Sequence, residues 1–184
     1  KQDLHRKLFL GGEVTLEDGD KKQLAPLNIA AEDKIISGYQ GQYPVISLGL
    51  KDVKGGSYDE VIAKLQIVMA EVFKTHAYLL KSKHITTQDK TTFQEQIQEK
   101  SSITKLQNSL YFLSALLYQH FQKPVYILID EYDTPINNAY LKINKKDPET
   151  FKEIVEIFRK MMGKALKGNK HLKKGLVTGI LRLA

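Results

Sequence analysis

The chain contains no cysteine, which excludes disulfides, thiolate chemistry and cysteine-based metal sites. That absence fits a reducing interior, so a cytoplasmic location is the expectation. There is no apolar run approaching the roughly 18 residues that a membrane-spanning helix needs, so no membrane partner is expected. The opening Lys1-Gln2-Asp3-Leu4-His5-Arg6 has neither an initiator methionine nor the apolar stretch of a signal peptide, and it reads as the start of a fragment or processed form. Histidines stand at 5, 76, 84, 120 and 171 without H-x-x-H or H-E-x-x-H spacing, which argues against a zinc site. His76 is expected on a helix surface or boundary.

What is present is a chain of 184 residues with a formal net charge of +7. This length suits one domain, or one with a small attachment, burying about 70% of its extended surface. The charge is uneven. Residues 1–136 carry 16 Lys and Arg against 17 Asp and Glu, whereas residues 137–184 carry 12 against 4. Lys164, Lys167, Lys170, Lys173 and Lys174 suit a phosphate-facing surface toward nucleotide or nucleic acid, with solubilising decoration as the plainer reading. No aromatics interleave with them as on a base-stacking platform.

Residues 1–42 are weakly patterned, with turns marked by Gly11-Gly12, the polar stretch from Glu17 to Lys22, and Gly38 or Gly41, and they read as an approach segment. Residues 43–50 predict a strand, followed by a loop and Ser57 as a helix cap. Ile62, Leu65, Met69, Val72 and Phe73 then recur at helical spacing. Residues of about 82–120 predict a helical insertion of two helices, the first bearing Phe93 and Ile97, the second Leu106, Leu110, Leu113 and Leu117. Those leucines also resemble a short coiled-coil seam, with core packing as the alternative. Asp147-Pro148-Glu149 predicts a helix start, Phe151, Ile154, Val155, Phe158, Met162 and Leu166 its buried face, and Gly168-Asn169 its stop. Residues 176–181 predict a last strand. Strand, helix, helical insertion, strand, helix, strand is an α/β order with right-handed crossovers.

The most informative run is Pro124 to Pro135, in which the apolar Val125-Tyr126-Ile127-Leu128-Ile129 opens onto Asp130, Glu131 and Asp133. Unbroken β-formers suit a strand covered on both faces of a mostly parallel sheet. Ligands of such sheets bind beyond the strands' carboxyl ends, where these acids would lie. The same acids also suit a solvated loop ended by Thr134-Pro135. Read chemically, adjacent acids suit a nucleotide hydrolase, the first holding Mg²⁺ and the second orienting or deprotonating water. Thr178, one helix later, is placed to present a hydroxyl from a neighbouring strand, or serves the fold alone.

Tyr43-Pro44-Val45-Ile46, Lys51-Asp52-Val53, Tyr126 through Ile136 and Leu176-Val177-Thr178-Gly179-Ile180-Leu181-Arg182 together resemble the AAA-ATPase-like family of P-loop proteins, often joined to a PD-(D/E)XK nuclease-like domain. The resemblance runs from about Gln42 to the end and implies a partial P-loop NTPase-like three-layer fold, α/β with a mostly parallel sheet, over residues 43–184. It implies Asp130 as the magnesium-coordinating Walker B acid, Glu131 as the catalytic glutamate, Thr178 as the sensor and Arg182 as a phosphate-side group. Asp133 belongs to the motif with no role assigned. ATP and Mg²⁺ are the implied ligands of the complete protein, and nucleic acid is an implied partner through an attached domain.

One departure stands out. The 184 residues contain no G-x-x-x-x-G-K-[ST], and Gly163-Lys164 sits inside a helical pattern without the preceding glycines or a following hydroxyl. Truncation upstream is the expectation, and the chain alone is expected to bind ATP weakly or not at all. Two other functions stay open: a non-hydrolytic interaction scaffold with a protein partner or self-association, and a metal-dependent nuclease using Asp130, Glu131 and Asp133. An E-x-K beside the motif, usual in such nucleases, is missing.

Overall fold

Val125–Asp130 forms a strand, β4, in the computed structural model, which describes residues 2–16 and 18–180. It is the middle strand of a three-stranded parallel sheet, between β3 (Val45–Gly49) and β5 (Leu172–Val177). Ile46 pairs with Ile127, Leu48 with Ile129, and Ile129 in turn with Val177. A parallel sheet needs long crossovers. Here they are α3 (Tyr58–Thr75), α4 (Thr87–Ile97) and α5 (Ile103–Phe121) between β3 and β4, then α6 (Thr134–Ala139), a π-helical turn (Tyr140–Asn144) and α7 (Pro148–Leu166) between β4 and β5. The family-independent expectation of an α/β chain with a parallel sheet therefore matches this arrangement.

Three sequence expectations need correction. The last strand is Leu172–Val177, not residues 176–181, so Thr178 follows the strand instead of lying within it. Lys173 and Lys174 disguised its start; both point to solvent from an edge strand, where charge is tolerated. Second, β4 is not covered on both faces. Val125, Ile127 and Ile129 are buried, while Leu128 on the opposite face is exposed, as are its partner Leu176 on β5 and Val45 on β3. The alternation was invisible because apolar residues occupy the outer positions too. Third, α7 buries Ile154, Ile157, Phe158, Met161 and Ala165; Phe151, Val155, Met162 and Leu166 only border that stripe.

One core joins the covered sheet face to α3, α5 and α7. Ile46, Leu48, Ile127 and Ile129 pack with Leu65, Met69 and Phe73 of α3, with Leu106, Leu110, Leu113, Leu116 and Leu117 of α5, and with Ile154, Phe158 and Met161 of α7. The α5 leucines are thus core residues. Capping is local and chemical. Ser57 Oγ accepts from Glu60 N at 3.3 Å, Thr86 Oγ1 from Asp89 N at 3.1 Å, Ser102 Oγ from Lys105 N at 3.4 Å and Asp147 Oδ1 from Thr150 N at 3.0 Å, each satisfying an amide that the first helical turn leaves free. His76 caps the end of α3, at the boundary rather than on the exposed surface of the helix, and is buried with Nδ1 3.0 Å from Tyr78 OH.

Residues 1–43 form a separate compact unit. Helix α1 (Gln2–Leu10) leads into the antiparallel hairpin of β1 (Gly12–Thr15) and β2 (Lys21–Leu24), then a 3-10 turn and α2 (Asp33–Tyr39). Gly11 ends α1 with a φ of +76°, where a Cβ would come within 2.9 Å of Leu24 O. Only glycine combines that conformation with that approach.

Candidate functional site

Parallel strands leave their carboxyl ends side by side, and three loops gather at this edge. Asp130 ends β4. The residue partnering it in register on β3 is Gly49, and the loop after β3 is tied on when Leu50 N donates to Asp130 O at 3.0 Å. Further along, Gly55 N donates to Asn138 Oδ1 of α6 at 2.9 Å, and the buried Val53 anchors the segment in between. On the other side, Thr178 N donates to Ile129 O at 2.8 Å and Tyr132 N donates to Thr178 O at 3.2 Å, continuing the ladder one step beyond β5.

That extra step brings two side chains together. Asp130 at the end of β4 and Thr178 just past β5 project on the sheet face opposite the helical core, and Thr178 Oγ1 lies 2.6 Å from Asp130 Oδ1 as donor to the carboxylate. The same oxygen accepts Glu131 N at 2.9 Å. Two donors thus converge on one carboxylate oxygen. Asp130 remains exposed, so its other oxygen is open to a ligand from solvent.

Glu131 takes a φ of +52°. A left-handed glutamate costs about 1 kcal/mol relative to ordinary backbone. The turn is held by Thr134 N donating to Glu131 O at 3.1 Å and by Thr134 Oγ1 donating to Glu131 Oε2 at 3.2 Å. Backbone strain enforced by surrounding bonds is typical of functional positions. The effect is that adjacent acids diverge, Asp130 toward Thr178 and Glu131 toward the start of α6.

Asp133, which carried no assigned role, is 3% exposed. Its Oδ2 accepts Ile180 N at 3.2 Å and Asn137 Nδ2 at 3.2 Å. A buried carboxylate tied to backbone in this way is withdrawn from the surface that Asp130 shares, which removes it from the three-acid metal cluster of the nuclease reading. Asn137, Asn138 and Gly179 were not singled out by the sequence. The available signal was the pair of asparagines following Thr134-Pro135, which reads as turn chemistry until the helix is seen.

The oxygen donors at Asp130 and Thr178 are the hard type that magnesium prefers. Among the described residues no group of three or more His, Asp or Glu is arranged to hold a metal ion. Arg182 lies outside the described residues. The basic carboxyl-terminal lysines are dispersed: Lys164 Nζ donates to Asn108 Oδ1 at 2.6 Å, Lys173 and Lys174 are exposed on β5, and Lys167 borders a shallow recess of about 470 Å³ with Arg159, Lys160, Met162, Gly163 and Leu166. None of the strand-end acids lines that recess. No helix among the described residues is long and apolar enough to cross a membrane.

Comparison with curated proteins and with solved structures gives no match. The family model for AAA-ATPase-like proteins, described as predicted AAA-ATPase, matches residues 13–184 and so takes in all but the first residue of β1 and the entire parallel sheet with its acidic edge. With nearly the whole sequence matched, the chain belongs to the AAA-ATPase-like family.

Proposed function

We propose that the edge formed by Asp130, Glu131 and Thr178 is the Walker B and sensor portion of an ATP-binding and hydrolysing site, within a partial three-layer P-loop fold. The observation that carries this reading is the 2.6 Å bond from Thr178 Oγ1 to Asp130 Oδ1, beside a glutamate held in a left-handed turn. Asp130 would hold Mg²⁺, directly or through water, with its remaining ligands from solvent and phosphate; bound there, the ion would neutralise charge on the phosphates. Glu131 orients and deprotonates the attacking water. The Thr178 hydroxyl, already aligned on the magnesium-binding acid, reads the phosphate side of the site, and Arg182 is the proposed phosphate-side group.

The complete site requires a phosphate cradle of backbone amides and a lysine, which no G-x-x-x-x-G-K-[ST] in these 184 residues supplies. On this reading hydrolysis requires such a loop in addition to Asp130, Glu131 and Thr178, and a polypeptide extended to include one would be the species to assay. An attached nuclease-like domain would bring nucleic acid to the assembly.

Glu131→Gln in the polypeptide that includes the upstream loop tests this. The change keeps side-chain volume and removes the base, so nucleotide binding is retained while single-turnover hydrolysis falls by about a hundredfold or more. Unchanged hydrolysis in a folded variant would transfer the domain to the scaffold reading, in which the exposed Val45, Leu128 and Leu176 face becomes the functional surface.

A further inference from the structure

The residue after Thr178 has no room for a side chain. A Cβ at Gly179 would lie 2.5 Å from Asp133 Oδ1 and 2.6 Å from Tyr132 Cε1. The backbone of the loop after β5 therefore presses directly onto the loop after β4. One residue later the Ile180 amide donates to Asp133 Oδ2 at 3.2 Å, while the Ile180 side chain is 94% exposed. Packing of that side chain contributes little to holding the loop; the hydrogen bond and the glycine contact do so, together with the backbone bonds of Thr178 to Ile129 and Tyr132.

Asp133 is well placed for a different task. It occupies the N-cap position of α6, where an aspartate ordinarily accepts an amide from the first turn, yet it makes no such cap bond. Its carboxylate is instead turned to Ile180 N and to Asn137 Nδ2 from the next turn. An accepted amide at Ile180 and a contact at Gly179 fix the chain on one side of Thr178; the bond from Thr178 N to Ile129 O fixes it on the other. Between these restraints the Thr178 side chain is aimed at Asp130.

We infer that Asp133 is the positioning residue of this site: by clasping the Gly179–Ile180 backbone it sets the Thr178 hydroxyl on Asp130. In this role Asp133 acts through Thr178. The word sensor for Thr178 rests on the ATPase reading, whereas the clasp itself is a matter of structure.

Amide hydrogen exchange and Thr178 side-chain couplings measured by NMR on the 184-residue chain, without nucleotide, test the inference. In Asp133→Ala the Ile180 amide exchanges about tenfold faster, as loss of one hydrogen bond implies, and the Thr178 χ1 couplings become rotamer-averaged, while Ile46 and Ile127 stay protected. Asp133→Asn keeps an acceptor oxygen and restores both readouts. Unchanged Ile180 exchange and an unchanged Thr178 rotamer in Asp133→Ala overturn the inference, and so does failure of rescue in folded Asp133→Asn. Should Asp133→Ala lose core protection, Gly179→Ala replaces it: the added methyl displaces the loop, and Ile180 protection and the Thr178 rotamer are lost together. Faster Ile180 exchange with Thr178 unmoved would then overturn the clasp. Because no ATP enters the measurement, its failure and that of the hydrolysis test on Glu131→Gln are separately visible.

Discussion

Thr178, just past β5, and Asp130, at the end of β4, stand 48 residues apart, and their side chains meet at 2.6 Å because β5 runs parallel to β4 and its ladder continues one step beyond Val177. Removing the hydroxyl leaves the strand intact. Thr178→Val should therefore lower stability by only about 1 kcal/mol or less, since water can replace the donor to an exposed carboxylate. Turnover in the longer polypeptide should fall much more than this. Chemical unfolding together with single-turnover hydrolysis checks the pair, and equal losses in both would reduce Thr178 to a structural residue.

Asp130→Asn removes charge from the proposed magnesium ligand while keeping its shape and the acceptor for Thr178. Nucleotide affinity of the longer polypeptide should weaken in the presence of Mg²⁺ and change little when EDTA is present. A titration at both conditions distinguishes this from general damage; equal weakening in the two would argue against a metal role for Asp130.

The left-handed Glu131 predicts a trade between stability and activity. Glu131→Gly relieves the positive φ of 52° and forfeits one side-chain bond to Thr134. The result should be neutral to about 1 kcal/mol more stable, with hydrolysis abolished. Urea midpoints of wild type and variant decide it, and a marked destabilisation would show that the glutamate side chain serves the fold.

Calorimetry on the present chain with ATP and Mg²⁺ should give no stoichiometric complex in the micromolar range. Asp130 and Glu131 repel a triphosphate, and the amide and lysine cradle is missing from the sequence. A micromolar complex of one ATP per chain would require a phosphate site elsewhere.

Acid should destabilise the fold before the carboxylates titrate. Burial holds the His76 imidazole below its ordinary pKa of 6.5, and burial with Lys170 nearby does the same at His171. The unfolded chain therefore takes up protons that the folded chain resists. Stability contributed in this way is complete above about pH 6.5 and declines as pH falls toward the lowered folded values. His76→Gln should flatten this decline. Urea unfolding at intervals from pH 8 to pH 5 would detect it, and parallel curves for wild type and variant would refute the assignment to His76.

Much of this site could be read before any fold was known. Asp130 and Glu131 stood out because an apolar run breaks onto acids, a pattern that depends only on neighbours in sequence. Asp147 and Ser57 were legible for the same reason, since a cap is completed within three residues. Asp133 was visible as a third acid but not as a clasp, because its partner Ile180 lies 47 residues away and is a backbone amide, which carries no residue signature. The hairpin of residues 12–24 escaped because its four-residue strands are largely exposed and lack a clear alternation.

By itself the sequence determined the periodic helices, the strand-forming runs and the chemical groups waiting at their ends, all of which follow from short-range sterics, capping and the segregation of apolar side chains. Tertiary structure decided which face of β4 is covered, where β5 begins, and which acid answers to which loop. Those outcomes depend on register between strands separated by whole helices: pairing Ile129 with Val177 sets Thr178 against Asp130, and a slip of one residue would have turned that hydroxyl to the opposite face.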